Sequence, residues 1–211
     1  MRSACVLLVS LLAVQAAAQY SLEPAGPFAA GEVAPAVKSL LEEGHRVKDP
    51  SGAVFVEAWL RKTTPTGKAA EQPRGADFTV IPLFTLLGVI RYAAPGADYR
   101  GQPVKPGVYT MRYNLHPEDG DHQGVAPRRD FVLLIPAAAD PGPDARLNFD
   151  AAVDLSRKAS GTTHPSVLYL LTPESGAAFP SVQQRAGNHQ VLQVKSGTLA
   201  LGITVVGKSD E

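Results

Sequence analysis

The sequence predicts an all-β protein: a single β-sandwich, immunoglobulin-like or prealbumin-like, of about eight to ten strands with two short helices. Three observations lead there. The 211 residues include 19 glycines and 18 prolines, well above the roughly 12% that these two residues make up in ordinary chains. Short apolar–polar alternations recur along the chain, and turn signals separate them. Hydrophobic residues make up 45%, enough for a packed core and too many for a disordered chain.

Taken in order, Met1-Arg2, the apolar run Cys5 to Val14 and the small residues Ala16-Ala17-Ala18 read as a secretory leader cleaved after Ala18. The expectation is therefore a cleaved segment 1–18, an extended stretch 19–32 and one sandwich domain over 33–211. Cleavage would remove Cys5, the only cysteine, leaving no disulfide, thiolate or cysteine ligand. No later run is long enough to span a bilayer. The destination read from this pattern is periplasmic or secreted.

Pro35 to Glu43 reads as a short helix, with Val37, Leu40 and Leu41 on one face. Asp49-Pro50-Ser51-Gly52 is a turn signal between two extended runs. In the second run Phe55, Glu57 and Trp59 face one way, and Val54, Val56, Ala58 and Leu60 the other. Arg61 is expected to partner Glu57. Segments 77–81 and 86–92 read as strands on either side of Pro82. The clearest strand is 107–115, with Tyr109, Met111, Tyr113 and Leu115 on one face and Thr110, Arg112 and Asn114 on the other. Another strand follows at 131–135. Asp150 to Ser160 reads as the second helix, with Asp150 as N-cap and Gly161 as terminator. Strands at 167–171 and 198–206 follow, with hairpin turns at Gly187-Asn188 and Ser196-Gly197.

Lysine plus arginine and aspartate plus glutamate both total 20, for no net charge. That balance argues against a nucleic-acid partner. The densest polar stretch runs from His116 to Gly124. Glu118, Asp119 and Asp121 are the oxygen ligands a hard cation such as calcium prefers. His116 and His122 suit a transition metal. The spacing fits neither an EF-hand nor a zincin helix, and a solvated turn explains the same residues. The candidate metal set is His116, Asp119, Asp121 and His122, for a divalent ion. Arg112, Arg128 and Asp130 form a candidate anion-binding set, or else an Arg112–Asp130 pair that fixes the loop. Ser160-Gly161-Thr162-Thr163-His164-Pro165 reads as a helix exit. Trp59 and the tyrosines Tyr92, Tyr99, Tyr109 and Tyr113 are read as core, with ligand stacking as the alternative. His45 and His189 are read as surface or hydrogen-bonded core histidines.

The stretches VEAWLRKTTP, RGQPVKPGVYTMRYNLHPEDGDHQGVAPRRDFVLLIPA and SRKASGTTHPSVLYLL resemble a group of uncharacterised secreted bacterial proteins of about this length. The resemblance implies an exported bacterial protein and transfers no site residue. The function expected is an exported, non-enzymatic binding or envelope-support domain. Its partner would be a small molecule, a glycan or an envelope protein. A metal-dependent hydrolase or oxidase using the 116–130 loop with His164, and a carbohydrate-binding module, are the alternatives.

Overall fold

The computed structural model describes residues 19–68, 74–117 and 126–207. The protein is all-β with two short helices. Ten strands form one antiparallel sheet: β1 (Ser21–Gly26), β2 (Gly44–Lys48), β3 (Val54–Leu60), β4 (Leu86–Tyr92), β7 (Gly107–Leu115), β8 (Asp130–Pro136), β9 (Val167–Leu171), β10 (Ser181–Gln184), β11 (Gln190–Ser196) and β12 (Leu199–Val206). A separate two-stranded hairpin joins β5 (Gly96–Ala97) to β6 (Pro103–Val104). The order across the large sheet is β1-β2-β3-β4-β7-β8-β9-β12-β11-β10. Its two edge strands, β1 and β10, meet, so the sheet curls nearly into a barrel. One apolar cluster draws side chains from all ten strands. That is the packing expected where a sheet closes on itself and residues alternate between inside and outside.

The alternation read from the sequence sets the register. Tyr109, Met111 and Tyr113 of β7 enter the core with Val132 and Leu134 of β8, while Arg112 stands opposite Leu133 on the outer face. The β2–β3 hairpin closes as expected, with the Asp49 carboxylate accepting the backbone N–H groups of Ser51 and Ala53. Its pairing sets Val47 opposite Val56 in the interior.

Three elements differ from expectation. Residues 77–81 are turns. The Asp130 carboxylate takes the backbone N–H of Asp77 and of Phe78, so those donors cannot join a ladder, and Pro82 brings none. Phe78 and Ile81 are buried in the main core instead. The first helix, α1, is short (Pro35–Lys38). Beyond it the chain pairs with the β3 end: Leu41 bridges Arg61, and the Glu42 N–H donates to the Leu60 carbonyl. The second helix, α2 (Phe149–Ser160), starts one residue before the expected span. Its N-cap is thus Asn148, whose Oδ1 accepts the Ala151 N–H at 2.9 Å, and Asp150 sits in the first turn. Gly161 ends it in the left-handed region at φ 69°, a conformation that a Cβ disfavours. Ala152, Val153, Ser156 and Ala159 are the buried face, laid over the outside of β8.

Candidate functional site

Arg112 and Asp130 do not meet. Residues of β7 and β8 alternate between faces, and Arg112 belongs to the outer face while Asp130 shares the inner parity of Val132 and Leu134. Both are fully buried. The Arg112 guanidinium grips Asp140, just past the 3₁₀ turn Ala137–Ala139, through Nε at 2.8 Å and Nη2 at 2.6 Å. Nη1 donates to the Phe84 carbonyl at 2.9 Å, and Nη2 also donates to the Gly142 carbonyl. Burial works to raise the Asp140 pKa, but the bonds from Arg112 and Thr110 outweigh it and hold the carboxyl below its ordinary value. Arg112 is thus a buried clamp for the 137–142 segment, out of reach of a ligand.

Asp130 is a clamp of the same kind. Besides the two N–H groups of the 77–81 turn, its Oδ1 accepts the Tyr113 hydroxyl at 2.8 Å. Burial first, and then the Asp130 carboxylate, push the Tyr113 phenol well up. His116 is half-buried, with its ring packed on Phe131 (centroids 4.3 Å apart) and Tyr169 (5.2 Å). Its backbone N–H donates to the Arg129 carbonyl at 2.9 Å, and its carbonyl accepts Arg129 Nε at 2.7 Å. Asp119, Asp121 and His122 lie outside the described residues. Among the described residues no group of three or more His, Cys, Asp or Glu side chains converges in a way that would hold a metal.

Arg128 alone of the three candidate anion-binding residues reaches solvent. Its Nε lies 3.1 Å from Asp77 Oδ2, which also accepts the Thr172 hydroxyl at 2.9 Å. Arg128 and Asp77 line a cleft of about 890 Å³ that the sequence did not disclose. Its other walls are the end of β9 (Leu171 and Thr172), the β10–β11 turn (Gln184 to Ala186, and His189), and Tyr99 from the β5–β6 loop. A second ion pair, Arg185 with Glu174, stands on the same rim.

His189 is buried and stacks on Tyr99, with centroids 4.0 Å apart and planes at 20°. Its Nδ1 lies 2.9 Å from the Ala186 carbonyl and its Nε2 lies 3.2 Å from the Tyr99 carbonyl. This is the hydrogen-bonded histidine of the sequence reading, and it ties the β10–β11 turn to the β5–β6 loop. The cleft draws on five separate stretches of chain. Of its lining residues, Tyr99, Arg128 and His189 stand out in the sequence.

The other sequence candidates resolve into structural roles. Ser160 Oγ donates to the His164 carbonyl at 2.6 Å, so this group closes the α2 exit. Trp59 is buried, and its Nε1 donates to the Gly26 carbonyl at 2.8 Å. Glu57 is answered by Arg46 and Arg91, not Arg61. Both partners stand directly opposite it on neighbouring strands, whereas Arg61 lies just past the end of β3, where it bridges Leu41. The chain matches no family model, and no curated protein or solved structure is significantly similar to it.

Proposed function

We propose that this protein is an exported, non-enzymatic binding domain that takes an acidic, hydroxyl-rich ligand such as an acidic glycan in the cleft beside Arg128 and Arg185. In this reading residues 1–18 are the cleaved leader, and the two halves of the curled sheet face each other across one core in the manner of a β-sandwich. The observation that carries the reading is the composition of the cleft. Two arginines, each tethered by one carboxylate, stand on its rim, and Thr172 and Gln184 also line it. Tethered guanidinium groups lose less side-chain freedom when they bind. Hydroxyl and amide groups match sugar hydroxyls, and at about 890 Å³ the space suits a short oligosaccharide.

The test is calorimetric titration with trigalacturonate, and with maltotriose as the neutral control, of the wild type and of Arg128→Gln/Arg185→Gln. Binding of the acidic sugar that weakens with salt and falls at least tenfold in the double variant supports the reading. Equal affinity of the two proteins, or heat from neither sugar, refutes it.

A further inference from the structure

A second site lies on the outer face of β1–β4, apart from the cleft. Glu23, Arg46, Glu57 and Arg91 stand directly opposite one another on four adjacent strands, forming a ladder of alternating charge. Glu57 lies at its centre with 2% of its side chain exposed. Its Oε1 accepts Arg46 Nε at 2.7 Å and its Oε2 accepts Arg91 Nε at 2.6 Å. Arg46 Nη1 also reaches Glu23 Oε1 at 3.1 Å, and Lys48 holds the other oxygen of Glu23 at 2.9 Å. Three cations (Arg46, Lys48, Arg91) therefore face two carboxylates (Glu23, Glu57), and one positive charge is left over.

Stability alone gives little reason to bury this carboxylate, since an apolar trio of the same volume would serve as well. What Glu57 does is fix two arginine forks side by side, each with N–H donors to spare. Both forks line a pocket of about 360 Å³. Its opposite wall is apolar. The chain leaving β1 folds over the strands there, and Phe28 meets Trp59 edge-to-face with centroids 4.8 Å apart.

We infer that this pocket binds a small organic monocarboxylate with an apolar ring or chain, its carboxylate on Arg46 and Arg91 and its body against Phe28 and Trp59. The ladder's surplus positive charge, with Lys38 Nζ 5.8 Å from the centroid of the Phe28 ring, favours an anion, guanidinium groups recognise carboxylates, and the volume, at the small end of the range for ligand pockets, suits a monocarboxylate. Trp59 is the only tryptophan in the chain, so its fluorescence reports on this pocket alone.

The purified protein is titrated with cyclohexanecarboxylate, which does not absorb with tryptophan, and with cyclohexanecarboxamide as the uncharged control. A saturable change in Trp59 emission is expected with the acid and not with the amide. Arg91→Gln should weaken binding at least tenfold, Arg91→Lys less, and Arg128→Gln in the distant cleft not at all. Should Arg91→Gln fail to fold, Arg91→Lys and the weakening of wild-type binding by salt decide the matter. No saturable response at millimolar acid, equal response to acid and amide, or unchanged affinity in the folded Arg91 variants would leave the ladder purely structural and overturn the assignment.

Discussion

Substituting Asp140→Asn removes the charge that answers Arg112 and leaves the rest of the site in place. Arg112 has no exposed surface, and its partner carboxylate is 2% exposed, so water cannot take over the lost interaction. Breaking a buried pair from one side costs about 3–5 kcal/mol, because an uncompensated charge stays behind. In a chain of this size each kcal/mol moves the melting temperature by about 2–4 °C, so a fall of about 6–20 °C is expected. The assay is urea denaturation followed by circular dichroism at pH 7, with thermal melts alongside. The double variant Arg112→Met/Asp140→Leu should recover much of the loss, since it leaves no charge unpaired.

The pH dependence has a definite sign. Asp140 is held below its ordinary value when folded, so near that value the unfolded chain binds more protons and stability rises with pH. The contribution is whole above the usual carboxylate pKa of about 3.9 and is lost only as pH falls below it. A loss under about 1 kcal/mol for Asp140→Asn would match an exposed pair and refute the buried clamp.

Asp130→Asn leaves too few acceptor sites for two N–H groups and the Tyr113 hydroxyl, at a cost of about 1–3 kcal/mol. Hydrogen exchange at the Asp77 and Phe78 amides should accelerate, and unchanged protection there would contradict the role of Asp130 as an anchor. Asn148→Ala removes the α2 cap and should cost about 1 kcal/mol, measured by urea denaturation. At Gly44 a Cβ would run into the Trp59 indole, so Gly44→Ala should displace the ring, seen as a shift of its emission maximum. His116→Ala should destabilise through lost stacking on Phe131 and Tyr169, by about 1 kcal/mol or more. Elemental analysis of the wild type and of His116→Ala/His122→Ala, with melts in EDTA, tests the metal reading: equal metal content in the two proteins removes it.

Strands were legible where one face alternates cleanly. The 107–115 span matches β7 because Tyr109, Met111 and Tyr113 alternate with polar residues, and the 86–92 span matches β4 as a short, nearly continuous apolar run. Residues 77–81 carry apolar side chains too, but the backbone donors of Asp77 and Phe78 go to Asp130, a residue more than fifty positions away, and no local pattern encodes that. The partners of Arg112 and Glu57 are hidden for a related reason. Strand adjacency points Arg112 to Asp130 and local spacing points Glu57 to Arg61, whereas Asp140 arrives from a turn past the end of β8, and Arg46 and Arg91 arrive by strand register. A carboxylate, Glu57, sharing a strand face with Phe55 and Trp59 is the trace of the ladder that the sequence carries. The cleft was illegible because it exists only where five stretches of chain meet.

The way the barrel is filled bears on where ligands bind. A ten-stranded sheet curled nearly into a barrel encloses more space than eight strands do, and many barrels hold their ligand inside. Here Tyr92, Tyr109 and Tyr113 point into the interior from β4 and β7, and Phe78 and Ile81 enter from the 77–81 turn. Their volumes fill the middle, and the interior becomes core. The buried ion pairs Arg112 with Asp140, and Glu57 with Arg46 and Arg91, stand on the outer face instead. Of these, the Arg112 pair is sealed under the 137–142 segment, while the side chain of Arg91 remains 44% exposed beside an aromatic wall. The same chemical pair therefore serves two ends on one sheet. Where the covering segment seals over it, it fastens that segment down; where the covering segment leaves a gap, it holds two forks ready for an anion.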